Sequence, residues 1–396
     1  MDFDQVMTAK LHACGIDPKQ IGFFLKLYHE DEAGFITDEK TKQWALERGF
    51  FPGRVELYGL NENNYRMYLP DYAYFLMHPF NHHFRIWVND KLTLKYILGN
   101  REFNAYMPKY YLYIENDGNY TYLMDSPKDI KDNDDYLINL LKKEGSLALK
   151  PNNGSEGIGF IKLVWDKERI FKNNNEISEP ELKEMISLLR NYTVTEYAYQ
   201  HKDLAEIWPQ SECTFRIIMA KIPTEKKCNK KEWKCFTSFA RFGSKLSGGA
   251  SNLDAGGIGV GVDFSTGLLK ENGIRYKHFC NDGSYLLKEH PDTGCTWDGK
   301  IVPNWSQVQN VVIKICEYIS SLDYLGFDII ITQDSFKICE INTFPAMAYG
   351  QVMCGPVLAD ERNRRFFENK GLSKIDNSVL YEIVSESEKL LNDSES

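Results

Sequence analysis

Hydrophobic and polar positions change their spacing several times along the 396 residues, and each change marks an element. Residues 1–88 carry short helical patterns and an aromatic stretch, 65–87, that holds His78, His82 and His83. A helix is predicted over 91–98, then short strands, then a helix over 134–143 before the apolar run Ser-Leu-Ala-Leu-Lys ending at Lys150. A glycine-rich turn follows, then a strand over 159–165 and a polar loop at 173–175. Leu182, Met185, Ile186 and Leu189 recur at helical spacing within 179–191, and the β-branched and aromatic segment 193–200 reads as a strand. Residues 211–267 read as consecutive strands, 306–322 as a helix and 376–392 as a terminal helix. No internal repeat or low-complexity segment interrupts the pattern.

The most informative pair of strands is 325–332 and 336–342, separated by Gln333, Asp334 and Ser335. A three-residue loop would pair Thr332 with Phe336, Ile330 with Ile338 and Asp328 with Glu340. Residues two apart on a strand share a face, so Asn342 would join the carboxylates. Two carboxylates set opposite one another repel. A divalent cation between them removes the conflict, and oxygen-only ligands suit magnesium. A surface hairpin with polar residues outward is the bland alternative, and the apolar remainder of both strands argues against it.

Composition narrows the class. Hydrophobic residues at 43% and charged residues at 26% are ordinary for a globular protein of two or three subdomains. A net charge of -9, with no basic stripe beyond the short run Lys226, Lys227, Lys230 and Lys231, argues against nucleic acid as a partner. Nine cysteines without paired spacing fit reduced thiols better than a zinc site or a disulfide framework. No stretch reaches the length of a membrane span and no leader pattern is visible, so the reading is a soluble cytoplasmic protein. A homodimer is the default expectation from symmetry statistics alone. The three histidines read as hydrogen-bonded structural residues, because metal-ligating neighbours are not evident near them.

Other candidate chemistry clusters around glycines. Lys150 precedes Gly154, Ser155, Gly157 and Gly159, where backbone amides can turn toward phosphate oxygens while the lysine adds a point charge. The spacing matches neither the Walker nor the dinucleotide pattern. Glu196, with backbone groups of Tyr197 and Ala198, could read an adenine edge. Arg216, mid-strand, needs an anionic partner, either a phosphate or carboxylate of a ligand or a structural ion pair. Arg241 adds a charge, and Asn252, Gly256 and Gly257 a polar glycine-rich turn.

Taken in order, Lys91 or Lys95, Lys150 with its glycine loop, Glu196, Arg216, Asp328, Glu340 and Asn342 resemble the ATP-grasp superfamily from about residue 90 to 350. The string GFDIIITQDSFKICEINTFPAM, 326–347, is particularly similar to the metal-binding hairpin of D-alanine:D-alanine ligases and ribosomal-protein glutamate ligases. CTFRII, SNLDAGGIGVGVDFSTG, HPDTG and LGFDIIIT look like the sugar-transfer-associated group of that superfamily.

The resemblance implies an α+β fold in which two α+β subdomains clasp ATP, with an additional N-terminal domain. Its parts would be 1–88 on the substrate side, 89–200 as the lid, 201–370 with the metal site, and 371–396 as helix and tail. It implies ATP and two Mg2+ ions as cofactors, Asp328, Glu340 and Asn342 as metal ligands, and Lys91, Lys95, Lys150, the glycine loop, Glu196, Tyr197 and Ala198 as nucleotide contacts. Arg216, Lys150 and Arg241 would act in catalysis, and Asn252, Gly256 and Gly257 would face substrate. The implied activity is an ADP-forming carboxylate-amine ligase that makes an amide through an acyl phosphate, its small-molecule acid and amine sugar-linked, as a uronic acid or an amino-acid-bearing sugar, in bacterial capsule or surface-polysaccharide synthesis. A kinase acting on a hydroxyl and a non-catalytic nucleotide-binding partner of a glycosyltransferase are the alternatives.

Overall fold

A computed structural model of the chain describes residues 2–99, 102–130, 135–152, 158–224, 231–248, 250–276, 279–280 and 285–395. Two seven-stranded antiparallel sheets carry the architecture. The first contains β1 (Tyr110–Ile114), β2 (Tyr120–Tyr122), β3 (Ser146–Pro151), β4 (Ile161–Asp166), β5 (Arg169–Lys172), β6 (Asn175–Ile177) and β7 (Tyr192–Glu196), in the order β2-β1-β7-β3-β4-β5-β6. The second contains β8 (Thr214–Pro223), β9 (Lys231–Phe242), β10 (Ile258–Val262), β11 (Leu269–Ile274), β12 (Leu286–Leu287), β13 (Tyr324–Ile331) and β14 (Phe336–Asn342), in the order β12-β11-β10-β9-β8-β13-β14.

Alternation along the strands decides which face each sheet buries. In the first sheet Leu147 and Leu149 of β3 and Val194 of β7 meet Leu137, Leu140 and Leu141 of the helix Tyr136–Glu144. Lys150 is out of phase with that apolar pair, so it belongs to the face turned away from the helix. In the second sheet Phe215, Ile217 and Met219 of β8 and Phe327 and Ile329 of β13 pack on Val308, Val312 and Ile315 of the helix Trp305–Tyr318. Each such side chain taken fully out of water contributes roughly 1.5–3 kcal/mol.

The opposite face of the second sheet is only partly covered. Ile218, Ala220 and Ile222 of β8 and Tyr324 of β13 pack against the N-terminal aromatic helices and against Phe366 and Phe367 near the C-terminus. The next residues along that same face are Arg216 and Asp328, which lie past the apolar cover. The aromatic N-terminal stretch is therefore a lid on half a sheet, and the polar residues begin where it ends.

Within it His78 is buried between Phe80, Phe344 and Tyr74, with ring centroids 3.8, 4.4 and 4.6 Å away. Burial pushes the His78 pKa well down, so the ring is a neutral packing element. The N-terminal layer is tied together by Arg54, whose guanidinium lies 3.2 Å from Asp31 and 3.2 Å from Asp71, all three buried.

The hairpin of β13 and β14 departs from the expected register in one instructive way. Asp328 does pair with Glu340, but a bulge follows, so that Ile329 faces Ile338, Ile330 faces Lys337 and Ile331 faces Phe336. The turn is 332–335, closed by the Thr332 amide donating to the Ser335 carbonyl at 3.0 Å. Cys339 is the extra residue on β14. A bulge re-aims the inserted side chain, and here it brings the thiol to the side of Glu340.

The helix Lys91–Leu98 forms as predicted because Asp90 caps it, accepting from the Thr93 amide at 2.8 Å, and Leu94 and Leu98 bury one stripe. The eight described cysteines are all free thiols. No helix among the described residues is long and apolar enough to cross a membrane.

Candidate active site

Three adjacent strands set the centre of the site by register alone. Asp328 on β13 lies opposite Arg216 on β8 and opposite Glu340 on β14, so the three side chains form a row across one face. Arg241 on β9 pairs with Thr214, two residues from Arg216, and so reaches the same face from the next strand. Asn342 follows Glu340 by two residues and donates its amide to Glu340 Oε1 at 2.9 Å. Gly326, opposite Asn342, has no room for a side chain: a Cβ there would sit 2.5 Å from Pro345 and 3.6 Å from Arg216 Cδ.

Asp328 is the electrostatic hub. Arg216 donates Nε to Oδ1 and Nη2 to Oδ2, the latter at 2.8 Å, and Arg241 Nη2 lies 3.0 Å from Oδ2. Burial alone would raise the Asp328 carboxyl, but Arg216 and then Arg241 outweigh it and hold the group well below the usual carboxylate range. Glu340 goes the other way. Burial, then the neighbouring Asp328, pushes its carboxyl up, with Asn342 and Lys91 acting against them.

Lys91 and Lys150 complete the group. Burial lowers the Lys91 pKa, Glu340 opposes that shift and Lys150 adds to it, which places Lys91 within electrostatic reach of both. Asp90, at the cap of the same helix, also accepts from Asn152 Nδ2 at 2.9 Å. Asn152 in turn accepts from Thr193 Oγ1 at 3.3 Å, so the first residues of the glycine loop are fastened to the start of the Lys91 helix. Gly154, Ser155 and Gly157 lie outside the described residues. Gly159 is described, with φ at +76°, and a Cβ there would meet the Tyr192 hydroxyl at 2.8 Å.

Other residues singled out from sequence take different positions. Lys95 is not brought to this group: its buried ammonium contacts Asp125 at 2.8 Å, Asn104 Oδ1 at 2.8 Å and the Pro108 carbonyl at 3.0 Å, which uses all three of its protons. Glu196 ends β7, and its carboxylate accepts from the Lys109 amide at 3.0 Å and lies 3.3 Å from Lys337. Tyr197 donates its hydroxyl to Glu212, and Lys162 sits 4.2 Å above the Tyr197 ring. Ala198 is buried beside it. Asn252 accepts from the Asp254 amide at 3.1 Å, and Gly256 and Gly257 make the tight turn that returns the chain to β10.

Two residues escaped sequence reasoning. Ser251, next to Asn252, is the loop's link to the site: its hydroxyl lies 3.1 Å from Thr214 Oγ1, which accepts from Arg241 Nε at 3.0 Å. Cys339 is brought in by the bulge, its thiol pushed up to about 11 by burial against the influence of Lys150. Strict strand alternation would have turned it away, so nothing short of the bulge could have found it.

Two carboxylates and an amide oxygen are an oxygen-only set that suits Mg2+. Among the described residues no group of three or more His, Cys, Asp or Glu could hold a metal by itself. A cation held by this set would take its remaining ligands from phosphate oxygens and water.

Three solved structures are similar in fold. The D-alanine–D-alanine ligase of Bacillus anthracis is 14% identical, with 78% of this chain and 70% of that one covered, at a TM-score of 0.32. The L-amino acid ligase of Bacillus licheniformis is 9% identical, with 82% and 54% covered, at 0.36. The N5-carboxyaminoimidazole ribonucleotide synthetase of Thermotoga maritima is 11% identical, with 65% and 42% covered, at 0.31. The chain thus spans less than two thirds of the length of two of these three. Among curated proteins none matches in sequence. The profile of the sugar-transfer associated ATP-grasp proteins matches residues 75–365, which is most of the sequence, and the chain belongs to that family.

Proposed function

We propose that the protein is an ATP-dependent carboxylate-amine ligase, and that the face carrying Asp328, Glu340 and Asn342 beside Lys91 and Lys150 is where ATP and two Mg2+ ions bind. The observation that carries the reading is this meeting of oxygen donors and cationic side chains at the uncovered end of one sheet. Magnesium, when bound, neutralises charge on the phosphates during in-line transfer. Lys150 from the first sheet and Lys91 from the helix packed on the second hold phosphate oxygens. With the Glu196 carboxylate engaged by Lys109 and Lys337, the base is read by backbone groups of 196–198. Arg216 fixes the orientation of Asp328. The acid is activated as an acyl phosphate, attacked by the amine, and ADP and phosphate leave.

The family description, sugar-transfer associated, favours an acid or amine borne by a sugar, and surface-polysaccharide synthesis is the role we propose for it. Incubation with Mg·ATP, hydroxylamine and a panel of uronic acids and amino acids tests it. A ligase releases ADP and yields the hydroxamate of its acid; ADP release without a hydroxamate, dependent on a hydroxyl acceptor, would instead establish a kinase.

Two further outcomes follow from the same assignment. Lys91→Met should weaken ADP binding about tenfold, the worth of one charge-assisted hydrogen bond, at nearly unchanged stability. Lys95→Met should instead lower unfolding free energy by roughly 3 kcal/mol through the unpaired Asp125. Urea denaturation and equilibrium dialysis separate the two, and an exchange of these phenotypes would reassign the phosphate lysine.

The second outcome concerns pH. Burial and the neighbouring Asp328 raise the Glu340 carboxyl, and it must be deprotonated to ligate a cation. Binding of Mg·ADP should tighten as pH rises above the usual glutamate value and then level off. Calorimetry in buffers of differing ionisation heat should show proton release there. Proton uptake, or no pH dependence, would contradict Glu340 as a ligand.

A further inference from the structure

Resting on that reading, a cavity of about 260 Å3 where the N-terminal aromatic layer ends bears on the class of substrate. Its wall includes Asp17, Lys19 and Gln20 at the start of the helix Pro18–Gly34, together with Arg85, Asn89 and Thr343. Thr343 directly follows the proposed metal ligand Asn342, and Asn89 stands two residues before Lys91. The Thr343 amide and hydroxyl both donate to Asn89 Oδ1 at 3.1 Å, so what Asn89 can offer a ligand is its Nδ2 donor. The cavity thus shares its chain segments with a metal ligand and a phosphate lysine.

Its charges favour an anion. Arg85 Nη1 lies 2.9 Å from Asp17 Oδ2, a single contact that leaves the rest of the guanidinium fork for a ligand. Asp17 also caps the helix, accepting from the Lys19 amide at 3.0 Å, so the carboxylate that orients Arg85 is itself fixed. Among the described residues the Lys19 ammonium is in no ion pair. Two cations against one carboxylate, at the N-terminal end of a long helix, leave an excess of positive charge.

Its buried polar atoms call for hydrogen-bonding groups beside that anion. His78 and Phe344 also line the cavity. His78 is 4% exposed, and neither of its ring nitrogens has a hydrogen-bond partner among the described residues; the same is true of Gln20 Oε1. A neutral imidazole has one donor and one acceptor to satisfy, and a buried polar atom left unpaired costs about 1–3 kcal/mol. Two such side chains on one wall are accounted for if a ligand supplies their partners. The volume lies just below the range typical of drug-sized ligands, roughly 300–1,000 Å3, which suits one sugar ring or one amino acid and excludes a whole nucleotide sugar.

We propose that this cavity is the pocket for a small carboxylate-bearing substrate, the carboxylate received by Arg85 and Lys19 and neighbouring N–H or O–H groups by Gln20 and His78. A uronic acid and an α-amino acid share that chemistry. Arg85 and Lys19 then set specificity, admitting the acid and discriminating against the same molecule without its carboxylate. Asp17 is a positioning residue, acting through Arg85.

Calorimetric titration of the full chain, with and without Mg·ADP, tests this on uronic acids and amino acids, each against its partner lacking the carboxylate: D-galacturonate against D-galactose, L-serine against ethanolamine. One of the two classes should bind at least about tenfold more tightly than its partners, and which class does so identifies the source of the carboxylate. Arg85→Gln should weaken that binding about tenfold, the worth of one charge-assisted hydrogen bond, while Mg·ADP affinity stays at the wild-type value. Lys19→Gln, at an exposed position, should weaken it about threefold, and serves if Arg85→Gln does not fold. Carboxylate binding that both variants leave unchanged, or no preference for the carboxylate in a protein that binds Mg·ADP, overturns the pocket alone. No Mg·ADP binding by wild-type protein overturns the nucleotide assignment, and the titrations without nucleotide still decide the pocket.

Discussion

Glu340→Ala should lose at least about a thousandfold in ATP turnover, since a metal ion at the phosphates supplies several kcal/mol of stabilisation and Glu340 is a proposed ligand that feels the Lys91 charge. The fold should survive. Glu340 sits on the edge strand β14, its raised carboxyl already sits poorly beside Asp328, and removal relieves that repulsion. Circular dichroism and thermal unfolding should be close to wild type, or slightly improved, while ADP release vanishes. A variant that forms ADP at the normal rate would remove Glu340 from the metal site.

Asp328→Ala should fail differently, and the contrast distinguishes a ligand from a hub. Its side chain is 7% exposed and neutralises Arg216 and Arg241, at 12% and 16%. Removing it leaves two largely buried guanidinium groups with only the carboxyl of Glu340, its pKa raised, nearby. Breaking a buried pair from one side costs roughly 3–5 kcal/mol, so chemical denaturation should show a loss of that order in addition to lost turnover. Asp328→Ala combined with Arg216→Met should recover part of the stability and none of the activity, because one of the two unpaired charges is gone and the proposed ligand is not restored. A single Asp328→Ala variant as stable as wild type would mean that the arginines find other partners and that the hub is not structural.

Much of this is legible in the sequence, and the residues show why. Asp328 and Glu340 could be paired because hairpin loops have few lengths and strands have a period of two. The pairing held only because a bulge at Cys339 compensates for a turn one residue longer than expected, which spacing could not reveal. Helix 91–98 was legible from its Asp90 cap and apolar stripe, yet Lys91 and Lys95 lie one turn apart on it, and only the tertiary neighbours Asp125, Asn104 and Pro108 separate them. The segment 193–200 shows the opposite limit: β propensity predicts strand throughout, but pairing ends at Glu196, where its carboxylate turns to Lys109 and Lys337.

The N-terminal region was least legible, because its aromatics cover half a sheet that does not begin until residue 214. Contacts of that sequence separation leave no periodic signal. Asn252, Gly256 and Gly257 marked the right loop, while the residue that touches the arginine network is Ser251.

The central claim is that one face of the second sheet, with Lys91 and Lys150 above it, receives a metal nucleotide. A crystal structure with Mg2+ and a non-hydrolysable ATP analogue tests it most directly. Oxygens of Asp328, Glu340 and Asn342 should lie at about 2.0–2.1 Å from magnesium, with Lys91 and Lys150 on the phosphates. Nucleotide bound elsewhere, or metal ions that touch none of these three side chains, would contradict it.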